Sequence, residues 1–288
     1  MAVAFKAPVK DIVFGYEVVE TYDVISKIPA FSDFNEDIVI PTMEECAKFA
    51  EEVLAPINAI GDQQGATIKD GKVTMPKEFI DAYKSFSEAG WASISLPSEI
   101  GGGGMPIALS GGTLEILSTA NLAFGLAPGL AAGAISAINF HGSEEQKAKF
   151  LPKLVSGEWT GTMNLSEPQS GSDLGTITTK AEPQEDGSYK ITGTKVWITF
   201  GEHDLTDNII HLVLAKIPGS PEGTKGISMF IVPKVMVNDD GSLGDDNNVS
   251  CISIEEKLGI HASPTCVMEY DGSIGYLVGE ENRGLNYM

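Results

Sequence analysis

Thr162-Met-Asn-Leu-Ser-Glu-Pro-Gln-Ser-Gly-Ser-Asp173, followed by Lys195-Val-Trp-Ile-Thr-Phe-Gly201, decides how this chain is read. Pro168 and Gly171 take the first stretch out of a strand and into a turn. Ser166, Ser172 and neighbouring N–H groups then form a donor cluster suited to carbonyl or phosphate oxygens. In the second stretch Trp197 and Thr199 stand two apart in a strand pattern, so both side chains face one side. Together the two stretches suit a flat polar ring system with an indole beside it. Each also has a plainer reading: a turn made of ordinary turn residues, and a half-buried pair on a strand. Neither stretch alone separates the two readings.

Outward from these stretches, the hydrophobic period changes near residue 155. Before it, helical spacing dominates. Met43, Cys46, Phe49 or Ala50, and Val53 predict a first helix over roughly 35–54, with Pro41 in a first turn or kink and Pro56 as its end. Thr74 and Pro76 start a helix with Phe79, Tyr83 and Phe86 on one face, and Gly90 stops it. After the glycine loop 101–104, a helix is expected from about 106 to 121. Another follows a break at Pro128-Gly129 and runs to about Phe140. Ser143 and Gln146 read as a capping box for a last helix, Glu144 to Leu154. Residues 1–33 stay ambiguous; Ile12 to Tyr16 read as a short strand or as an arm packed on the body.

From Trp159 onward short strands recur with turn signals between them, as in a sandwich or barrel. They are expected at 176–181, at 189–191 after the Asp186-Gly187 hairpin, at 196–199, 209–216, 226–233, 249–255 and 267–270. The loops 218–225 and 238–248 read as exposed. Helices and strands segregate, so the fold class is α+β, and a doubly wound parallel sheet is disfavoured. No G-x-G-x-x-G links a strand to a helix, which removes support for a Rossmann site.

Composition narrows the function. Lys plus Arg total 19 against 40 Asp plus Glu, a formal net charge of −21 over 288 residues. Such a surface repels phosphate backbones, so nucleic acid is not an expected partner. Three unrelated cysteines, Cys46, Cys251 and Cys266, suggest neither a disulfide framework nor a zinc site. The first eleven residues lack the apolar core of a secretory leader, and a cytoplasmic setting is expected. Ile116 to Ser143 carries no charged residue, but its glycines, Asn121 and Pro128 favour two buried core helices over a membrane span. His141, His203, His211 and His261 form neither a metal pair nor a triad set, so no metal site is expected. His211 alternates with apolar residues and reads as structural; His261, in a loop, could line a site. Glu51-Glu52 and Glu280-Glu281 read as solvated faces.

Several segments in order resemble one family, the acyl-CoA dehydrogenases. Residues 163–173 look like its first flavin signature, and Lys195 to Thr199 like its second. Lys257-Leu258-Gly259 with Ser263-Pro264-Thr265 matches a third segment, and Leu277 to Leu285 the entry into its C-terminal helices. Ser98 to Gly102 and Glu144 to Lys147 fit its N-terminal domain. The resemblance covers about residues 35–288. The N-terminal extension, Gly201 to Asp204 and Gly259 to Cys266 resemble the branch of the methylthiopropanoyl-CoA dehydrogenases. Met163 stands where many members carry an aromatic residue, Ser166 replaces a threonine, and Phe200 is bulkier than usual.

The resemblance implies an N-terminal extension (1–34), a helical domain (35–155), a β-barrel or sandwich middle domain of antiparallel strands (156–276), and the start of a C-terminal helical domain (277–288). It implies that most of that last domain is missing from this chain. It implies FAD as cofactor, with Met163, Leu165, Ser166, Gly171, Ser172, Trp197, Ile198 and Thr199 as its contacts. Ser172 would also meet the CoA portion of the substrate, and the helices around Leu122 to Phe140 would wall the acyl pocket. The implied reaction is α,β-dehydrogenation of an acyl-CoA thioester. A carboxylate removes the α-proton, and the cofactor takes the β-hydrogen as hydride. That carboxylate is expected beyond residue 288, so residues 1–288 alone are expected to be inactive. Electron-transfer flavoprotein is the implied acceptor and a homo-oligomer the implied state of the complete enzyme. Two alternatives stay open: oxidase or monooxygenase chemistry on the same scaffold, or a non-enzymatic interaction module.

Overall fold

The computed structural model describes residues 5–288; of the N-terminal extension and leader readings, residues 1–4 lie outside the described residues. The ambiguous arm is helical, not a strand: α1 (Val9–Val18) and α2 (Thr21–Ile25). It packs on the body through buried Ile12 and Val13, and the Tyr16 hydroxyl donates to the Ala108 carbonyl.

Helix α3 (Glu36–Phe49) does not end at Pro56. It runs through a π turn, Ala50–Leu54, directly into α4 (Ala55–Gln64), which carries Pro56 in its first turn. Proline lacks the N–H for a regular helix bond and its ring clashes with the carbonyl four residues back. The wider turn accommodates this: Ala55 N–H reaches the Ala50 carbonyl, five residues back. A small hairpin, β1 (Thr67–Lys69) with β2 (Lys72–Thr74), leads to α5 (Lys77–Glu88). Phe79, Tyr83 and Phe86 of α5 are all buried, and all three rings close on Phe124 with centroids 5.5–6.3 Å away.

Helix α6 (Ile107–Ala120) is followed by α7 (Leu122–His141), one helix of 20 residues that contains Pro128. The expected break at Pro128-Gly129 lies instead at Asn121. Its Oδ1 accepts from Phe124 N–H at 3.1 Å, capping α7, while its Nδ2 donates to the Leu54 carbonyl at 3.2 Å. One side chain thus starts a helix and satisfies the end of the π turn. Among the described residues α7 alone is long and apolar enough to cross a membrane, and half of it is buried in the fold. Helix α8 (Glu144–Val155) starts on the expected Ser143/Gln146 capping box.

The strands are β3 (Trp159–Asn164), β4 (Lys180–Pro183), β5 (Tyr189–Thr199), β6 (Asn208–Lys216), β7 (Ile227–Pro233), β8 (Val235–Val237), β9 (Leu243–Asp246), β10 (Val249–Ile254) and β11 (Thr265–Leu277). Pairing runs β11–β5–β4–β6–β7 and back to β11, a closed barrel, with β10 added to β11 and β3 to β6. The barrel is mixed rather than wholly antiparallel, because β3 and β4 each pair parallel with β6. A parallel pair needs a long crossover, and the turn plus the β4–β5 hairpin supplies it between β3 and β6. The strand expected at 176–181 begins only at Lys180; Leu174–Thr176 is a 3-10 turn. The exposed 238–248 loop contains β9, paired with β8. Helix α7 lies on β3 so closely that a Cβ at Gly161 would stand 2.4 Å from the Ala134 methyl. That contact carries β3, and the turn after it, on the helical half. The chain closes with α9 (Gly284–Tyr287).

Candidate functional site

The turn after β3 is fixed at its base and free at its tip. Val196 N–H donates to the Ser166 carbonyl at 2.9 Å, and Glu167 and Ser170 exchange backbone hydrogen bonds of 2.7 and 2.9 Å. Beneath them lies a fully buried ion pair, Glu167 with Lys195, 2.9 Å apart. Lys195 Nζ also donates to the Leu165 carbonyl at 2.9 Å. The Glu167 carboxylate accepts five further hydrogen bonds: from the N–H and hydroxyl of Thr178, the N–H and hydroxyl of Thr179, and Gln169 Nε2. Burial alone raises Glu167, but the Lys195 charge and the threonine donors outweigh it and hold the carboxyl at about 2. Burial pulls the Lys195 ammonium down to about 8 against the opposing pull of Glu167. At neutral pH the pair is charged, and every oxygen of the carboxylate is engaged.

Above this base, Gly171, Ser172 and Asp173 are exposed and Ser166 is half-buried. Among the described residues none of the N–H groups of Ser166, Gly171 and Ser172 has a backbone acceptor. Trp197 stands over the same turn. It sits in a bulge of β5, where the register with β11 jumps between Cys266 and Met268. Its φ is +60°, in the left-handed region that a bulky residue rarely adopts. Its indole is 58% exposed. A Cβ at Gly171 would touch the indole edge at 3.6 Å, so the glycine lies against the ring. Thr199, half-buried, follows on the outward side, and the intervening Ile198 turns into the barrel core. Only the backbone of Ile198 can serve a ligand here. Met163 lies under α7, its sulfur 3.0 Å from the Cβ position of Gly133, and half-buried Leu165 packs against the core beneath α7 and α8. The structure therefore brings Gly171 and Trp197 together, sets Ser166 on the same turn, and turns Ile198 away.

Phe200, at φ +51°, leaves the strand and buries its ring in the core of the helical half; its N–H donates to the Pro264 carbonyl at 2.8 Å. Its bulk is that of an anchor between the halves. Behind the turn runs a buried chain of hydrogen bonds. Tyr270 Oη donates to Asn164 Oδ1 at 2.9 Å, and Asn164 Nδ2 to Thr162 Oγ1 at 2.8 Å. Thr162 therefore gives its own proton to His211 Nδ1 at 2.8 Å. Burial holds His211 near a pKa of about 3, so the ring is neutral, as its structural reading requires. His203 is likewise buried, held near about 3, with Nε2 2.9 Å from Thr160 Oγ1. His261 is not in the turn's neighbourhood. It bridges the halves, with Nδ1 2.9 Å from the Asp62 carbonyl and Nε2 2.8 Å from that of Lys257. Glu51 departs from the solvated reading: its carboxylate accepts from Lys6 Nζ at 2.6 Å and Ala7 N–H at 3.0 Å, fastening the arm.

Glu167 and Lys195 lie within the two stretches that decide the fold, yet the sequence alone assigns them no part. The available signal was slight: a lysine in a strand pattern next to Val196 and Trp197, where burial requires a partner.

Residues 42–158 match the family model of the acyl-CoA dehydrogenase N-terminal domain, and residues 162–273 that of the middle domain. A 3-methylmercaptopropionyl-CoA dehydrogenase from Ruegeria pomeroyi is 47% identical over 99% of this chain and 48% of its own length. A butyryl-CoA dehydrogenase from Syntrophomonas wolfei is 40% identical over 90% of this chain and 42% of its own length. The chain thus spans about half the length of these curated relatives. Among solved structures, an acyl-CoA dehydrogenase complexed with FAD from Bacillus anthracis superposes with a TM-score of 0.71 at 27% identity, covering 89% of this chain and 39% of that one.

Proposed function

This chain belongs to the acyl-CoA dehydrogenase family and carries its N-terminal and middle domains, and on that premise we propose that it forms one wall of an FAD-dependent site for the α,β-dehydrogenation of acyl-CoA thioesters. One observation carries the reading: an exposed tryptophan held at positive φ against a glycine turn with free N–H donors, on a base locked by a buried ion pair. Backbone strain of this kind costs about 1–3 kcal/mol and persists where the surroundings impose it. A ring system stacked beside Trp197 accounts for both the strain and the exposure.

The donor set fits a flavin. Ser166, Ser172 and the adjoining N–H groups offer hydrogen bonds to ring carbonyls and phosphate oxygens without adding positive charge. With the cofactor bound, the exposed Trp197 indole would shield the ring from water. Thr199, at the same end of β5, would offer it a hydroxyl donor. Ser172, at the exposed tip, would hold phosphate oxygens of the cofactor or of CoA. FAD, when bound, supplies the hydride acceptor. Beside the turn, the Glu167 carboxylate is fully engaged, and Asp173 Oδ1 accepts from Gly175 N–H at 2.9 Å. The general base is proposed to come from outside residues 5–288, so residues 1–288 by themselves are expected not to turn over.

Two relatives are named for short acyl-CoA substrates, and short acyl-CoA thioesters are the substrate class proposed. Electron-transfer flavoprotein is the acceptor proposed, in a cytoplasmic homo-oligomer. The test has two arms. Residues 1–288 are titrated with FAD while tryptophan and flavin fluorescence are followed. The same residues, joined to the C-terminal half of a relative, are assayed for dye-linked oxidation of butyryl-CoA. Flavin binding that weakens in Trp197→Ala, with turnover only in the joined protein, is expected. Turnover by residues 1–288 alone, or no flavin binding in either form, would overturn the proposal.

A further inference from the structure

Among the described residues, exposed large apolar side chains gather in one place, the N-terminal arm: Phe14, Val18, Val19, Val24 and Ile28. Single exposed apolar residues need no explanation, but five within one short stretch do. The arm is not adrift. Its inner face is anchored by Ile12, Val13 and Tyr16, and Glu51 ties down its start through Lys6 and the Ala7 N–H. Phe14 and Val18 lie one turn apart on the side of α1 turned away from that anchor. Val24 and Ile28 repeat the four-residue spacing along and beyond α2.

The same surface is acidic. From Asp11 to Asp37 the chain has seven carboxylates and one cation, Lys27. Glu17, Glu20, Asp23, Glu36 and Asp37 line a cleft of about 500 Å³ between the arm and the start of α3. None of these five is in an ion pair among the described residues. Exposed apolar residues alternating with uncompensated carboxylates complement a helix with apolar residues on one face and Lys or Arg beside them.

We propose that the arm is a docking surface for a basic amphipathic helix of a partner protein. Apolar side chains of that helix sit on Phe14, Val18 and Val24, and its cations enter the acidic cleft. The charge decides against other occupants. A second copy would set carboxylates against carboxylates in a two-fold contact. An anionic lipid surface would be repelled by the same groups.

The test uses residues 1–288 and a fluorescein-labelled peptide of about 18 residues, Leu on one helical face and Lys on the other, with a Leu/Glu peptide as control. Binding is read by anisotropy. The Lys peptide is expected to bind and the Glu peptide not to bind. Phe14→Ser/Val18→Ser is expected to weaken binding about tenfold or more. Glu17→Gln/Glu20→Gln/Asp23→Asn is expected to weaken it by a similar factor, and raising salt from about 50 to about 300 mM several-fold. Ile107→Ser/Leu114→Ser, on another exposed face, leaves it unchanged. All the substituted side chains are exposed, and a thermal melt confirms that each variant folds. Equal binding by every variant would reduce the effect to net charge and sink the proposal. So would a dimer, seen by sedimentation, that Phe14→Ser/Val18→Ser dissolves, or preferential binding to vesicles of anionic lipid.

Discussion

The Glu167–Lys195 pair and the His261 bridge each tie a barrel loop in place, one from inside the fold and one from its surface. Glu167 and Lys195 have no water to fall back on; their side chains are 2% and 0% exposed. His261 keeps about a third of its side chain in solvent, and its carboxylate neighbour Asp62 more than half. The buried link therefore holds its geometry over a wide range of conditions, while the exposed one competes with water at every pH. The turn after β3 hangs on the first kind of link. The contact between α4 and the loop 257–263 hangs on the second.

Breaking the buried link has the largest expected effect. Lys195→Met leaves a carboxylate buried without its cation, and removal of one partner from such a pair costs about 3–5 kcal/mol. Urea denaturation measures it. The double variant Lys195→Met/Glu167→Gln should recover part of the loss, because no buried charge is left. Recovery of stability without recovery of flavin binding would assign the pair to positioning the turn, since Lys195 also holds the Leu165 carbonyl.

Acid tests the same link without mutation. Glu167 sits at about 2 in the folded chain against an ordinary 4.5, so its contribution is complete above 4.5 and is lost as pH falls toward 2. The stability difference between the native protein and Glu167→Gln should therefore shrink steadily below pH 4.5. A difference that stays constant to the acid limit would show that hydrogen bonding, not charge, carries the link.

Trp197 lies above the buried pair and gives the smaller, opposite effect. Trp197→Gly relieves the positive φ and should leave stability unchanged or raise it by about 1 kcal/mol. Flavin affinity should fall in the same variant. A loss of stability comparable to that of a core residue would make the indole a packing element, and the exposed-wall reading would fail.

Legibility in the sequence divides along physical lines. Barrel strands were readable where glycine and Asp-Gly turns bound them, as at Asp186-Gly187, because turn chemistry is local. Proline misled in the helical half. Pro56 and Pro128 read as stops, yet a π turn at Ala50–Leu54 absorbs the first and packing on β3 carries α7 through the second. The true boundary, Asn121, shows itself only when its two hydrogen bonds are seen together. The Ser166–Gly171 turn and the exposed Trp197 were legible because motif and turn residues coincide there. That Ile198 turns inward is visible from strand alternation. The role of Glu167 was not, because its donors come from Thr178, Thr179 and Lys195, brought together by the β4–β5 hairpin rather than by sequence spacing.

The exposed bridge should respond most weakly, and in the opposite pH direction to Glu167. Both ring nitrogens of His261 face carbonyl oxygens, and Asp62 Oδ1 lies 2.8 Å from Nδ1, so only the doubly protonated ring can donate on both sides. Hydrogen bonds to the Lys257 and Asp62 backbone, with the Asp62 charge, raise its pKa above the ordinary 6.5. Its contribution is therefore complete below pH 6.5 and is lost as pH rises through the raised value. Lys257 stands beside the ring, its ammonium donating to the Ser263 carbonyl at 2.8 Å. Glu255 and Glu256 line the same cleft as the ring. His261→Gln keeps one donor and cannot titrate, so its urea stability should lack the alkaline decline of the native protein. Equal slopes in both proteins, together with an ordinary His261 titration by NMR, would show that the bridge is held by its neighbours and not by its charge.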